Sequence, residues 1–172
     1  PDFYTPRKVY TSDELGLDKK LKNPQSLFVR GNELYIVDTG NNRIIQMEKG
    51  ANETLSVVRY IDSFKGDVEN TTFSGPTDIA VSEEGCFFIA DKGNQRILKL
   101  DNDLNYLMQF NVPVDSTLDP DITFQPNKLA VDTADRVYCI ATGINKGLIK
   151  YEADGVFSGF VGAAEVSFDW TD

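Results

Sequence analysis

The sequence predicts an all-β protein built from a repeated four-strand unit. Three observations lead there. Segments 21–47, 73–100 and 124–151 of the 172-residue chain align with one another. Their prolines, Pro24, Pro76 and Pro126, stand 52 and 50 residues apart, and the pairs Asp38/Asp91 and Arg43/Arg96 each repeat after 53. Each segment is rich in branched and aromatic residues bounded by Gly, Asn and Asp clusters, the pattern of strands joined by tight turns.

The elements follow in order. After each proline comes a short apolar run: Leu27–Val29, Ile79–Val81 and Leu129–Val131. A turn separates it from a second run, Leu34–Val37, Cys86–Ile89 and Val137–Ile140. A Gly/Asn loop leads to third strands starting at Ile44, Ile97 and Leu148. Fourth strands are expected at 55–60, 106–110 and 156–160. Four antiparallel strands recurring every 50 or so residues describe a β-propeller blade. The blades are expected over 21–61, 73–111 and 124–163, within a single domain spanning 1–172. Thr11-Ser12-Asp13-Glu14 has capping-box spacing, but no amphipathic run follows, so a single turn is expected. Residues 1–20, with Phe3, Tyr4, Val9 and Tyr10, read as a lead-in or as an outer strand of another blade.

Two segments carry a more specific pattern. Tyr35-Ile-Val-Asp-Thr-Gly-Asn-Asn-Arg-Ile44 and Phe88-Ile-Ala-Asp-Lys-Gly-Asn-Gln-Arg-Ile97 share Asp-x-Gly-Asn-x-Arg-Ile. With Pro-x-x-apolar upstream, they resemble the NHL repeat, over about 21–163. The third copy departs: Ala141 replaces the Asp, and Gly147-Leu148 the Arg-Ile. More narrowly, the chain is similar to bacterial extracytoplasmic NHL-repeat proteins, which implies a place outside the cytoplasm. NHL propellers usually have six blades, so the three to four blades expected here would be part of a ring. An open ring leaves apolar blade faces uncovered. The missing chain or a second subunit is expected to complete it.

Composition narrows the function. With 17 Lys+Arg against 27 Asp+Glu, the net charge is −10. Nucleic acid and anionic membrane surfaces need a basic face, so neither is an expected partner. No apolar run approaches the roughly 18 residues of a membrane span. There is no histidine, which removes Ser-His-Asp and Cys-His machinery and imidazole acid–base chemistry. The chain opens on Pro1 without a basic-then-apolar segment and reads as trimmed.

Asp38 with Arg43 and Asp91 with Arg96 recur at equivalent positions. They are expected to solve a blade problem, the Asp accepting backbone N–H groups in its turn and the Arg forking onto an acidic group. Function is sought instead where blades differ. The two positions after each proline are polar and differ: Gln25-Ser26, Thr77-Asp78 and Asn127-Lys128. In a propeller they enter the innermost strand near one channel mouth, where convergent polar groups suit a small ligand. Gln25, Thr77, Asp78, Asn127 and Lys128 are therefore the candidate ligand-binding residues, with Asp78 and Lys128 able to orient a polar ligand by opposite charge. The divergent loop 141–147 reads as a decayed repeat or a ligand loop. Asp101–Asn105 reads as a hairpin turn and Asp115–Asp121 as an exposed connection. Opposite strand parity argues against a Cys86–Cys139 disulfide and for two buried thiols. Trp170 lies past the last recognisable strand and could meet missing chain.

No catalytic residue is identified. The reading preferred is a binding or scaffold module without a cofactor, taking a protein, peptide or glycan ligand on a propeller face. The alternative is a lactonase-like hydrolase. The resemblance to such propellers implies a calcium or other divalent ion at the channel, with Asp78 and Asn127 as candidate ligands and further ligands from other blades.

Overall fold

The computed structural model describes residues 9–162. Twelve strands form three four-stranded antiparallel sheets among them. The first blade holds β1 (Ser26–Arg30), β2 (Glu33–Asp38), β3 (Arg43–Lys49) and β4 (Leu55–Ile61). The second holds β5 (Asp78–Val81), β6 (Phe87–Asp91), β7 (Arg96–Leu100) and β8 (Tyr106–Phe110). The third holds β9 (Pro126–Val131), β10 (Val137–Ala141), β11 (Leu148–Tyr151) and β12 (Phe157–Val161). In each, sequential strands pair in order, as hairpin connections this short require. The expected fourfold units therefore stand, with strand ends shifted by one or two residues.

Side-chain alternation gives every blade two faces. Tyr35, Val37, Ile44 and Ile61 of the first blade pack on Ile79, Val81, Phe87, Ile89 and Leu98 of the second. The other face of the second blade, with Ala80, Phe88, Ile97 and Phe110, packs on Val137, Cys139, Ile149 and Tyr151 of the third. Aromatic edges lock both seams: Tyr35 meets Phe87 at 5.6 Å between centroids, and Phe110 meets Tyr151 at 5.5 Å.

Pairing register makes Val37, Ala90 and Ile140 equivalent, and likewise Ile44, Ile97 and Leu148, and Ile61, Phe110 and Val161. These positions face the following blade. They are 0% exposed in the first two blades but 50%, 38% and 42% exposed in the third. On the opposite side, Leu27 and Val29 are 64% and 67% exposed, whereas their equivalents Ile79 and Val81 are buried. Both outward faces carry interblade residues with no blade against them among the described residues.

Residues 9–20 form no strand, and the lead-in alternative fits them. Tyr10, Leu15, Leu17 and Leu21 lie on Ile36, Ile45 and Met47, covering the outer part of the first blade's open face. The capping box does form, with Thr11 N donating to Glu14 Oε2 at 2.8 Å and Glu14 N to Thr11 Oγ1 at 3.3 Å. It closes a turn rather than a helix. Phe3, Tyr4 and Trp170 lie outside the described residues.

Candidate functional site

The repeated Asp-x-Gly-Asn-x-Arg motif is a clamp on the chain entering each blade. Asp38 Oδ1 accepts from Lys22 N at 2.8 Å, and Asp91 Oδ1 from Ser74 N at 2.8 Å. Their second oxygens each take an asparagine amide, Asn41 or Asn94, and an arginine Nε, Arg43 or Arg96. The N–H groups captured are 16 and 17 residues upstream of the aspartates, not in the turn as expected. Each guanidinium also holds the same incoming segment: Arg43 donates from Nη1 to Asp18 and from Nη2 to the Lys19 carbonyl, and Arg96 from Nη2 to the carbonyls of Asn70 and Thr72. Gly40 N and Gly93 N donate to the carbonyls of Lys22 and Ser74 at 2.8 Å. A Cβ on Gly93 would lie 2.5 Å from the Ser74 carbonyl oxygen, so the motif glycine exists for close approach.

The third blade replaces this polar clamp with packing. Ala141 and Ile144 are buried in the apolar cluster between the second and third blades, and Thr142 N donates to the Gln125 carbonyl at 2.9 Å. The rest of the divergent loop, Asn145 to Gly147, borders a separate surface cavity shared with Asp115, Thr117 and Phe160.

The structure gathers most of the candidate site residues at the start of the innermost strands. Ser26, Asp78 and Lys128 occupy one register position in successive blades. Asp78 Oδ1 accepts from Ser26 Oγ at 2.5 Å and from Ile79 N at 2.9 Å, and Oδ2 from Leu129 N at 2.8 Å. One buried carboxylate thus ties all three inner strands together. Thr77 Oγ1 donates to the Pro126 carbonyl at 3.1 Å, and Lys128 Nζ to the Gln25 carbonyl at 3.2 Å. Asp78 and Lys128 form no ion pair among the described residues. Asn127 sits at an irregularity in the β9–β10 pairing, its backbone N–H beside the Cys139 thiol.

Cys139 is buried, and burial pushes its thiol up to about 12, with the nearby Asp78 charge adding to the shift and the Asn127 N–H opposing it. Cys86 is half-buried and precedes β6 rather than lying in it. The expectation of two buried thiols is corrected on that point, because the strand begins at Phe87. Both cysteines are free.

Above the inner strands lies a cavity of about 360 Å3. Of the candidate residues Gln25 and Thr77 line it, whereas Asp78, Asn127 and Lys128 do not. Thr39, Lys92, Gln95 and Gln125, which the sequence reading did not single out, line it too. Thr39 and Lys92 each follow the clamp aspartate, so they occupy the same place in adjacent blades while differing in chemistry. That difference was readable in the aligned repeats. No Asp, Glu, aromatic or branched aliphatic residue lines the cavity, and carbon atoms of its threonines, glycines and lysine share the wall with the polar groups.

The carboxylate clusters serve turns. Asp101 accepts from the Asn105 amide and from the backbone N–H groups of Asp103 and Asn105. These contacts, the Asn105 side chain first, hold it below the usual carboxylate range. Asp119 accepts from Asp121 N, and Asp115 from Thr117, in a strand-free connection.

No protein-family profile and no curated protein matches the sequence. Solved structures do match. The chain is similar to virginiamycin B lyase from Staphylococcus aureus, solved in a catalytically inactive form with quinupristin (TM-score 0.56, 12% identity, 83% of this chain and 42% of that one). It is similar to a functionally unknown protein from Desulfotomaculum acetoxidans (TM-score 0.54, 17% identity, 81% of this chain and 42% of that one). It is also similar to a streptogramin B lyase (TM-score 0.51, 14% identity, 78% of this chain and 39% of that one). The chain spans about two fifths of the length of these structures. At such identities the likeness concerns fold alone, and that fold is a β-propeller of four-stranded antiparallel blades, three of which lie in the described residues.

Proposed function

We propose that the chain supplies blades to an NHL-type propeller that acts as a binding module outside the cytoplasm, taking a protein, peptide or glycan ligand at the channel mouth without enzymatic turnover. The observation that carries this reading is the mouth cavity, walled by amides, hydroxyls and one ammonium where the blades differ. Such a wall recognises a ligand by hydrogen bonds. The exposed interblade positions on both outward faces support completion of a ring by further blades, from more of the same polypeptide or from a second chain. The extracytoplasmic placement rests on the resemblance of the repeats alone.

The lactonase-like reading requires a divalent ion held in part by Asp78 and Asn127. The donor set does not fit it: Asp78 already accepts three hydrogen bonds from the protein, close to the four acceptor sites of a carboxylate. Among the described residues no three His, Cys, Asp or Glu side chains converge as a metal group would need.

The test is an NMR titration of the 172-residue chain with soluble neutral and acidic oligosaccharides and with short peptides, followed by calcium. Shifts grouped at Gln25, Ser74, Thr77 and Gln95 are expected without calcium. Shifts confined to other surfaces would overturn the reading. Stoichiometric calcium binding that moves Asp78 and Asn127 would overturn it in favour of the hydrolase.

A further inference from the structure

One charged residue of the mouth cavity is left without a counter-charge. At the place after the clamp aspartate that Thr39 holds in the first blade stands Lys92 of the second. It is half-buried and has no ion pair among the described residues, although the chain carries ten excess negative charges. Lys92 lines the cavity, and no carboxylate shares its wall.

The remaining wall sharpens the chemistry. Gln25, Gln95 and Gln125 present amides, and Ser74 and Thr123 hydroxyls. Amides and hydroxyls both donate and accept, as sugar hydroxyls do. The lysine is a point charge suited to one carboxylate. No aromatic or branched aliphatic side chain lines the wall to seat a large apolar side chain of a peptide. The volume, about 360 Å3, falls in the range of small-molecule sites, roughly 300–1,000 Å3.

We propose that this cavity binds a carboxylate-bearing saccharide, a hexuronate, with its carboxylate on Lys92 Nζ and its hydroxyls on the glutamine amides and the Ser74 and Thr123 hydroxyls. The inference rests on the reading of the mouth as a ligand site and names the ligand's class. A free uronic acid and a uronate unit of a polysaccharide share this chemistry.

Isothermal titration of the full chain tests it with D-glucuronate, D-galacturonate and an oligogalacturonide, against glucose, galactose and acetate. A uronate is expected to bind at least about tenfold tighter than its neutral hexose, a difference of about 1.4 kcal/mol, and acetate not to bind measurably. Binding weakens as salt rises to about 0.5 M. Tighter binding of the oligogalacturonide than of both monosaccharides assigns the polymer as source, and the reverse assigns the free acid. Lys92→Gln is expected to abolish the acid preference and Lys92→Arg to keep it. Equal binding of acid and neutral sugars at the mouth, or an acid preference that survives Lys92→Gln, overturns this inference and leaves the mouth as a ligand site. Absence of binding by every saccharide overturns the inference, and the peptide arm of the NMR titration then decides the broader reading separately.

Discussion

Asp91 and Arg96 face each other across the end of one hairpin, Oδ2 to Nε at 2.9 Å, with the carboxylate wholly shielded from water. The pair is repeated 53 residues earlier by Asp38 and Arg43 at 2.8 Å. Each ties the strand hairpin to the segment entering the blade. A buried ion pair contributes little net stability when intact, because desolvation offsets attraction, yet removing one partner strands a charge. Asp91→Ala is therefore expected to cost about 3–5 kcal/mol, read as a fall in the chemical denaturation midpoint. Arg96→Lys keeps the charge but loses the fork that also reaches the carbonyls of Asn70 and Thr72, and a cost of roughly 1.5–3 kcal/mol is expected. An unchanged midpoint in Asp91→Ala would remove the clamp from the account.

The motif glycines give a sharper contrast. Gly93→Ala forces a Cβ to 2.5 Å from the Ser74 carbonyl oxygen and must displace the captured strand, at about 1–3 kcal/mol. Gly16 has φ +67 but nothing within 4 Å of its would-be Cβ, so Gly16→Ala carries only the left-handed backbone cost of roughly 1–2 kcal/mol. Native-state hydrogen exchange separates the two. Gly93→Ala is expected to deprotect Gly93 and Ser74 amides together, whereas Gly16→Ala leaves them unchanged.

The blades and their clamp were legible because the same residues recur at one spacing, so aligned repeats report their own importance. What the clamp holds was not legible. Lys22 N and Ser74 N are backbone groups, and no side-chain pattern marks a backbone donor 16 or 17 residues away. Gln25 and Thr77 of the cavity wall were legible because the blades differ there. Thr39 and Lys92 differ between blades too, but they sit inside the repeated motif, one residue past its aspartate, where the identical positions dominate the pattern. The parity argument against a Cys86–Cys139 disulfide agrees with two free thiols, but strand parity does not report how deeply a residue just outside a strand is buried.

The two thiols should behave differently. Cys139 is sealed between the second and third blades, while Cys86 is half-buried in a turn before β6. A thiol reagent at about pH 8, near the ordinary cysteine pKa, is expected to label Cys86 in the native chain and both residues after denaturation. Labelling of Cys139 in the native state would show that the seam between those blades opens.

Burial of Cys139 also sets a pH dependence. Its folded thiol is pushed up to about 12, from a reference of 9.0, and the Tyr35 phenol is likewise pushed up to about 12, burial leading and Glu33 adding to it. In both cases the fold favours the protonated form. The associated stability is fully present below the unfolded values, about 8.5 for cysteine and 10 for tyrosine. It is lost as pH climbs through about 12, with each group contributing a slope of at most about 1.4 kcal/mol per pH unit. The denaturation midpoint is expected to fall progressively above about pH 9, and Cys139→Val to flatten the first part of that fall. A midpoint level up to about pH 11 would contradict the buried thiol.

The outward faces make the last prediction. Leu27 and Val29 on one side, and Ile140, Leu148 and Val161 on the other, are exposed where their equivalents in the interior seams are buried. Apolar area left in water favours association, at about 25 cal/mol per Å2 covered. Light scattering is expected to give a mass that rises with concentration above the 19.2 kDa of one chain. Leu27→Lys combined with Ile140→Lys should return it to a single chain, because a charge at each seam position resists burial. These sites are already solvated in the lone chain, so thermal stability should change by no more than about 0.5 kcal/mol per site. A chain that stays at one-chain mass at every concentration would mean that three blades stand alone. The lead-in residues Tyr10, Leu15, Leu17 and Leu21 would then suffice to cap the first face.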